Sequence, residues 1–210
     1  MLSNLPPRDA KVGLLGGSFN PAHGGHRHVS QLALRRLALD RVWWLVSPQN
    51  PLKEEFGMAP LEARCAKAIS IAQHRRIDVT GLERELKTVY TIDTIRKLKL
   101  DASHVTFVWI MGADNLAEVA RWKSWRSLFK HVPVAIFDRA NYARKALGSE
   151  AARTFARARI SDRNSAGLLT KNLPAWMFVR SELHPASATS IRNHGLWAVS
   201  YTHLTMPTKA

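Results

Sequence analysis

The chain has one cysteine in 210 residues, Cys65. A lone thiol excludes an internal disulfide framework and any zinc site built on cysteines. Cys65 lies in a helical pattern and is expected as a small core hydrophobe. Acidic residues are also scarce, 16 Asp+Glu against 31 Lys+Arg, for a net charge of +15. Such a surface attracts anions, among them nucleotides, nucleic acid and acidic lipid. The basic residues are dispersed, though. Arg35-Arg36, Arg75-Arg76 and the group Arg153, Arg157 and Arg159 are the densest clusters, so a plainly solvated surface stands beside a nucleic-acid role. No apolar run approaches the roughly 20 residues that span a bilayer. Met1-Leu2-Ser3-Asn4-Leu5-Pro6-Pro7 lacks the charged start and apolar core of a secretory signal, so a cytoplasmic protein without a membrane partner is expected.

What is present is an alternation of apolar runs and helical patterns, in a chain long enough for one well-packed domain with a small appendage. Strands are expected over 11–15, 41–46, 77–80, 105–111, 132–137 and 176–179. Helices are expected over 25–39, 60–74, 91–100, 115–129 (interrupted) and 142–159. Runs such as Val105-Thr106-Phe107-Val108-Trp109-Ile110-Met111 imply strands buried on both faces. The pattern predicts an α/β fold with a doubly wound, mainly parallel sheet and a small C-terminal helical portion. In such sheets ligands bind beyond the carboxyl ends of the strands, where the strand order reverses. The domain is expected over 11–195, with 1–10 as an extension, 161–171 as a polar loop and 196–210 as a tail without periodicity or motif, disordered or non-native.

The densest information lies in Gly16-Gly17-Ser18-Phe19-Asn20-Pro21-Ala22-His23-Gly24-Gly25-His26, between the first strand and the first helix. Glycines let backbone N–H groups approach an anion, and a helix N-terminus adds partial positive charge. Two histidines three residues apart would sit where phosphates lie. A tight turn with two surface histidines is the plainer alternative. Zinc ligation is another, but no cysteine or acidic third ligand lies nearby in sequence.

This block resembles the GxFxPxHxGH signature of the nucleotidyltransferase superfamily of adenylyl- and cytidylyltransferases, with Asn20 where many members carry Asp. The resemblance implies a Rossmann-like nucleotidyltransferase fold, in which His26 contacts the α-phosphate in the transition state and His23 helps place the triphosphate. It implies an ATP site that includes Gly16, Gly17, Ser18, Phe19 and Gly25. Further on, His184-Pro185-Ala186-Ser187-Ala188-Thr189-Ser190-Ile191-Arg192 resembles the family's I-S-x-T-x-I-R element, with Ala186 in place of Ile. Ser187, Thr189 and Arg192 are then expected on the β/γ-phosphates; an ordinary capped helix is the alternative. Gly112-Ala113-Asp114 resembles the family's G-x-D, which lines the ATP site. It could equally be a strand end whose Asp caps the next helix.

Three further segments resemble the acceptor elements of bacterial nicotinate-nucleotide adenylyltransferases. Thr88-Val89-Tyr90-Thr91-Ile92-Asp93-Thr94 is similar to their S-Y-T-x-D-T, and Arg121-Trp122-Lys123-Ser124-Trp125 to their W-x-x-W. Ser47-Pro48-Gln49-Asn50-Pro51-Leu52-Lys53 is similar to P-x-x-P-H-K, with Leu52 in place of His but Lys53 kept as a phosphate ligand. The resemblance implies Trp122 as a stacking platform for a pyridine ring. It implies the Thr91 hydroxyl, beside Tyr90, and backbone N–H groups near Trp122 and Lys123 as carboxylate contacts. Arg139, in Phe137-Asp138-Arg139, is implied to face the acceptor phosphate. Two core tryptophans at helical spacing are the alternative for Trp122 and Trp125.

The activity so implied joins ATP and nicotinate mononucleotide, with Mg²⁺ as cofactor and no particular metal-binding side chain expected. No specific nucleic-acid partner is expected, and a homo-oligomer is left open. Phosphopantetheine adenylyltransferases are rivals, usually shorter and with Thr at the first His position; cytidylyltransferases are a second. A dinucleotide-binding module would want a third glycine and an acidic residue ending the second strand, where Ser47-Pro48 stands.

Overall fold

A computed structural model describes residues 6–48, 58–139, 141–180, 188–193 and 197, the side chains of 164, 190 and 193 excepted. Seven strands form one sheet: β1 (Lys11–Gly17), β2 (Arg41–Val46), β3 (Ile77–Thr80), β4 (Thr106–Gly112), β5 (Val134–Phe137), β6 (Arg159–Ile160) and β7 (Trp176–Val179). Their order is β3-β2-β1-β4-β5-β7-β6, and every pairing is parallel. The order reverses between β1 and β4.

Burial on both faces explains the near-continuous apolar strands. Successive side chains point to opposite faces. Trp43 and Leu45 enter one core with Leu14, Trp109, Met111, Ile136 and Phe178. Trp44 and Val46 enter the other with Leu15, Val108, Ile110, Ala135 and Phe137. Helices cover these faces: α1 (Gly24–Arg36), α2 (Leu61–Ala72), α3 (Leu82–Glu85), α4 (Thr91–Asp101), α5 (Ala113–Glu118), α6 (Trp125–His131), α7 (Ala143–Leu147) and α8 (Glu150–Thr154), with α9 (Ala188–Asn193) near the C-terminus.

The expected sheet is present and wholly parallel. Three local expectations are corrected. The helix expected over 142–159 breaks into α7, α8, a 3₁₀ turn at Ala156–Ala158 and the edge strand β6. Gly148 and the helix N-cap Ser149 interrupt it. The polar stretch expected as a loop is a 3₁₀ helix, Asp162–Thr170, opened by Ser161, whose hydroxyl accepts the Arg163 N–H. It buries Leu168 against the second core. Cys65 sits on α2 as expected but is half-buried, packed at the margin of that core.

Candidate active site

β1 runs into the Gly-rich block, ending at Gly17 rather than Leu15. Gly16 has a packing duty there: a Cβ would clash with the Trp109 ring, so the missing side chain admits an indole from the neighbouring strand. A Cβ on Gly17 would meet nothing closer than the Phe19 ring at 3.6 Å, so packing does not demand glycine at that position. Phe19 takes a left-handed backbone, φ 48°, and drives its ring into the core, stacked on Trp44 at 5.2 Å.

The loop is held from below by Arg64, of which 1% is exposed. Its guanidinium donates to the carbonyl oxygens of Ser18 and Ser47 (both 2.7 Å), Ala59 (2.8 Å) and Pro48 (3.0 Å). One side chain thus joins the signature loop, the end of β2 and the entry to α2. Burial lowers its pKa.

His23 is the N-cap of α1. Its Nδ1 accepts the Gly25 N–H at 3.1 Å, while Nδ1 of His26 accepts the His23 N–H at 3.2 Å. This is a capping box made of two imidazoles, with the reciprocal logic of the usual Ser/Glu pair. With Nδ1 accepting in both rings, the neutral forms carry their proton on Nε2 and keep that N–H as a donor. The rings lie 4.0 Å apart, and His26 also packs on Phe19 at 4.6 Å. Burial, then the neighbouring His23 and Arg139, hold the His26 pKa well below its usual value. The ring is therefore neutral near pH 7. The plain turn with two surface histidines is excluded, since His23 is buried and His26 half-buried. Gly25, expected at phosphate, spends its N–H on the cap.

β4 delivers Gly112 and Asp114 to the same edge. Asp114 pairs with Arg139 from the end of β5 at 2.5 Å, while its other carboxylate oxygen, Oδ1, is buried without a partner. Two residues with separate expected duties, one toward ATP and one toward the acceptor, thus form one unit.

The segment after α5 carries Trp122, half-buried and edge-on to Trp109 at 6.4 Å. Trp125 is a core residue against Phe129 and Phe155, as the plainer alternative has it. The Trp122 backbone N–H donates to the Val119 carbonyl at 2.9 Å, so of the N–H groups near Trp122 and Lys123 expected on a carboxylate this one is already engaged. Lys123 turns back to α4: its ammonium lies 4.2 Å over the Tyr90 ring and 3.3 Å from Asp93. It clasps the Tyr90–Thr91 turn to the Trp122 turn. Behind that turn, Glu83 is buried among hydroxyls. Thr94 donates to it at 3.4 Å and shares a 2.8 Å bond with Thr88, while Oε2 has no partner. Burial raises the Glu83 carboxyl to about 7, against bonds from Ser47 and Thr94 that lower it.

From α9, Arg192 donates to the Asn20 carbonyl at 2.5 Å and to the Thr189 hydroxyl at 3.4 Å. The structure thus brings Arg192 to the signature loop, with Thr189 bonded to it from the same helix. Ser187 and Lys53 lie outside the described residues. Arg64, Glu83 and Trp197 belong to no motif, and sequence reasoning misses all three. Trp197 lies in the expected tail, yet its indole N–H donates to Asn20 Oδ1 at 2.9 Å. Among the described residues, no group of three or more His, Cys, Asp or Glu could hold a metal, so the zinc reading of His23 and His26 gains nothing. No helix among them is long and apolar enough to cross a membrane.

A parallel sheet whose β1 turn carries a histidine-capped helix defines a nucleotidyl-transferring class of site. The cytidylyltransferase-like family model matches residues 14–194, and the chain belongs to that family. Within it, the chain belongs with the nicotinate-nucleotide adenylyltransferases. It is 46% identical over 188 residues to the "probable nicotinate-nucleotide adenylyltransferase" of Bradyrhizobium sp. (strain ORS 278), covering 89% of this chain and 98% of that one. It is 47% identical over 182 residues to a protein of the same name from Methylorubrum extorquens, covering 87% and 98%. The fold matches the solved nicotinic acid mononucleotide adenylyltransferase of Plasmodium falciparum complexed with NaAD, at TM-score 0.64 and 16% identity, covering 88% of this chain and 83% of that one.

Proposed function

We propose that this chain transfers the adenylyl group of ATP to nicotinate mononucleotide, giving deamido-NAD and pyrophosphate. The observation that carries the reading is the imidazole capping box, in a chain whose relatives bear that activity in their names. A phosphate oxygen of the mononucleotide attacks the α-phosphorus, the bond from that phosphorus to the bridging oxygen breaks, and pyrophosphate leaves. The nucleophile is already an anion, so no general base is needed. The work is alignment and neutralisation of charge.

Each residue then has a task. His26 Nε2–H donates to the α-phosphate as charge builds there, and His23 helps place the triphosphate. Gly16 to Phe19 line the ATP site. Thr189 and Arg192, with Ser187, meet the β/γ-phosphates. Trp122 stacks on the pyridine ring, an arrangement favoured when that ring is cationic. Thr91 and Tyr90 meet the carboxylate side of the ring, and Lys123 locks those two walls together. Lys53 serves the acceptor phosphate, and Arg139, paired with Asp114, stands beside His26.

Mg²⁺ suits the donor set as an ion held mainly by phosphate oxygens and water, with the unpaired Asp114 Oδ1 as the carboxylate oxygen at hand. Bound there, it would offset charge on the triphosphate. The protein works in the cytoplasm, without a membrane or nucleic-acid partner. Pyrophosphate release from ATP across a panel of acceptors tests the reading. Nicotinate mononucleotide should exceed the nicotinamide form at least ~10-fold in kcat/KM, since an unmatched buried polar group costs ~1–3 kcal/mol. Equal use of both, or a preference for phosphopantetheine, overturns it.

A further inference from the structure

Asn20 Oδ1 accepts two hydrogen bonds at once, from the Ala59 N–H at 3.2 Å and from the Trp197 indole N–H at 2.9 Å. Both neighbours can only donate, so chemistry places the amide oxygen there. Asn20 is 8% exposed, and its carbonyl also receives Arg192. Ala59 is gripped from the other side by Arg64, which reaches on to Ser18. A chain of hydrogen bonds therefore runs from Trp197 through Asn20 and Ala59 to the base of the signature loop.

We infer that Trp197 is a positioning residue for the triphosphate: by bonding Asn20 beyond the end of α9, it pins that helix so that Thr189 and Arg192 face the same phosphates as the signature loop. Arg192 fixes one end of α9, and a six-residue helix can pivot about a single bond. Trp197 supplies a second point, four residues past the helix. The two attachments use different atoms of one residue, Asn20 O and Asn20 Oδ1, so the side of the loop nearest the cap and the arriving helix share one anchor. The inference rests on the proposed function only in naming the ligand at Thr189 and Arg192 as a triphosphate.

The test is calorimetric binding of a non-hydrolysable ATP analogue with Mg²⁺, which needs no acceptor, to the full chain and to Trp197→Phe, Asn20→Ala and the double variant. Phenylalanine keeps an aromatic ring and removes only the N–H donor. The expected result is a 3- to 10-fold weaker analogue affinity for Trp197→Phe, an unchanged affinity for nicotinate mononucleotide, and a double variant no weaker than Asn20→Ala alone. Analogue affinity equal to the wild type overturns the proposal. So does equal loss for both ligands with a lowered Tm, or additive losses in the double variant. A wild-type chain that binds the analogue but releases no pyrophosphate with nicotinate mononucleotide overturns the proposed acceptor and leaves the anchor standing or falling on its own data.

Discussion

His26 accepts the backbone N–H of His23 through Nδ1, and this one bond determines which nitrogen can serve a phosphate. Protonating Nδ1 would break the cap, while burial and the nearby His23 and Arg139 already oppose a positive charge on the ring. His26→Ala should lower kcat about 10²-fold with little change in substrate affinity, the usual cost of removing one preorganised donor. In the wild type, kcat should stay level from pH 8 to below pH 6.5. The folded pKa is depressed, so the stability tied to this ring is full above the unfolded value near 6.5 and is lost as pH falls through the folded value. A kcat that climbs as a group with pKa near 6.5 gains a proton would show a cationic donor instead.

Glu83 has the opposite sign. Its carboxyl is raised to about 7, so the folded state favours the protonated form. The benefit is complete below the unfolded value near 4.5 and disappears as pH rises through 7. Glu83→Gln keeps the shape without the charge. Its Tm relative to wild type should rise between pH 5 and pH 8, by several degrees for a shift of more than one unit. A difference in Tm that stays constant over that range contradicts the assignment.

Arg64 bonds four carbonyl oxygens, none of them from a carboxylate. Arg64→Met leaves those oxygens buried without donors and should cost at least ~3 kcal/mol by urea unfolding, since bonds to charged groups are worth ~1.5–3 kcal/mol each. Arg64→Lys should recover only part, because an ammonium cannot span the planar fork. Full recovery by lysine would mean that charge, rather than geometry, is what the loop needs.

Trp122→Ala should raise KM for the mononucleotide 3- to 30-fold and leave KM for ATP nearly unchanged, as loss of a stacking partner worth ~0.5–1.5 kcal/mol beyond its buried area would do. Trp122→Phe should recover part. A destabilised variant with an unaltered mononucleotide KM would return Trp122 to the core beside Trp109.

The turn from β1 into α1 and most of the strands are legible in the sequence because each leaves a local trace: glycines at the turn, histidines at the cap, unbroken apolar runs in a sheet covered on both faces. Arg64 leaves none. Its partners are backbone carbonyls, which any residue has, so an arginine on a helix reads as solvated. Glu83 is invisible for a related reason: burial of a carboxyl among Thr88, Thr94 and Ser47 arises from tertiary packing, not spacing. Gly16 reads as a place for phosphate approach, whereas the structure gives it an indole to admit. Asp114 and Arg139 point to different ligands in sequence because 25 residues separate them; the parallel register that sets Gly112 beside Phe137 brings them together. Trp197 is hidden by its neighbours, a stretch with no periodicity in which a single anchoring indole leaves no pattern.

The contact between Arg192 and Asn20 joins residues 172 positions apart. A ribosome making this chain polymerises every described strand of the sheet, through Val179, before it adds Ala188–Asn193. Strands β1 to β5, which are contiguous in the sheet, can thus emerge and pair while the last wall of the proposed phosphate site is still unsynthesised. Occupation of that site by nucleotide becomes a late event, reserved for chains that have been translated past Arg192.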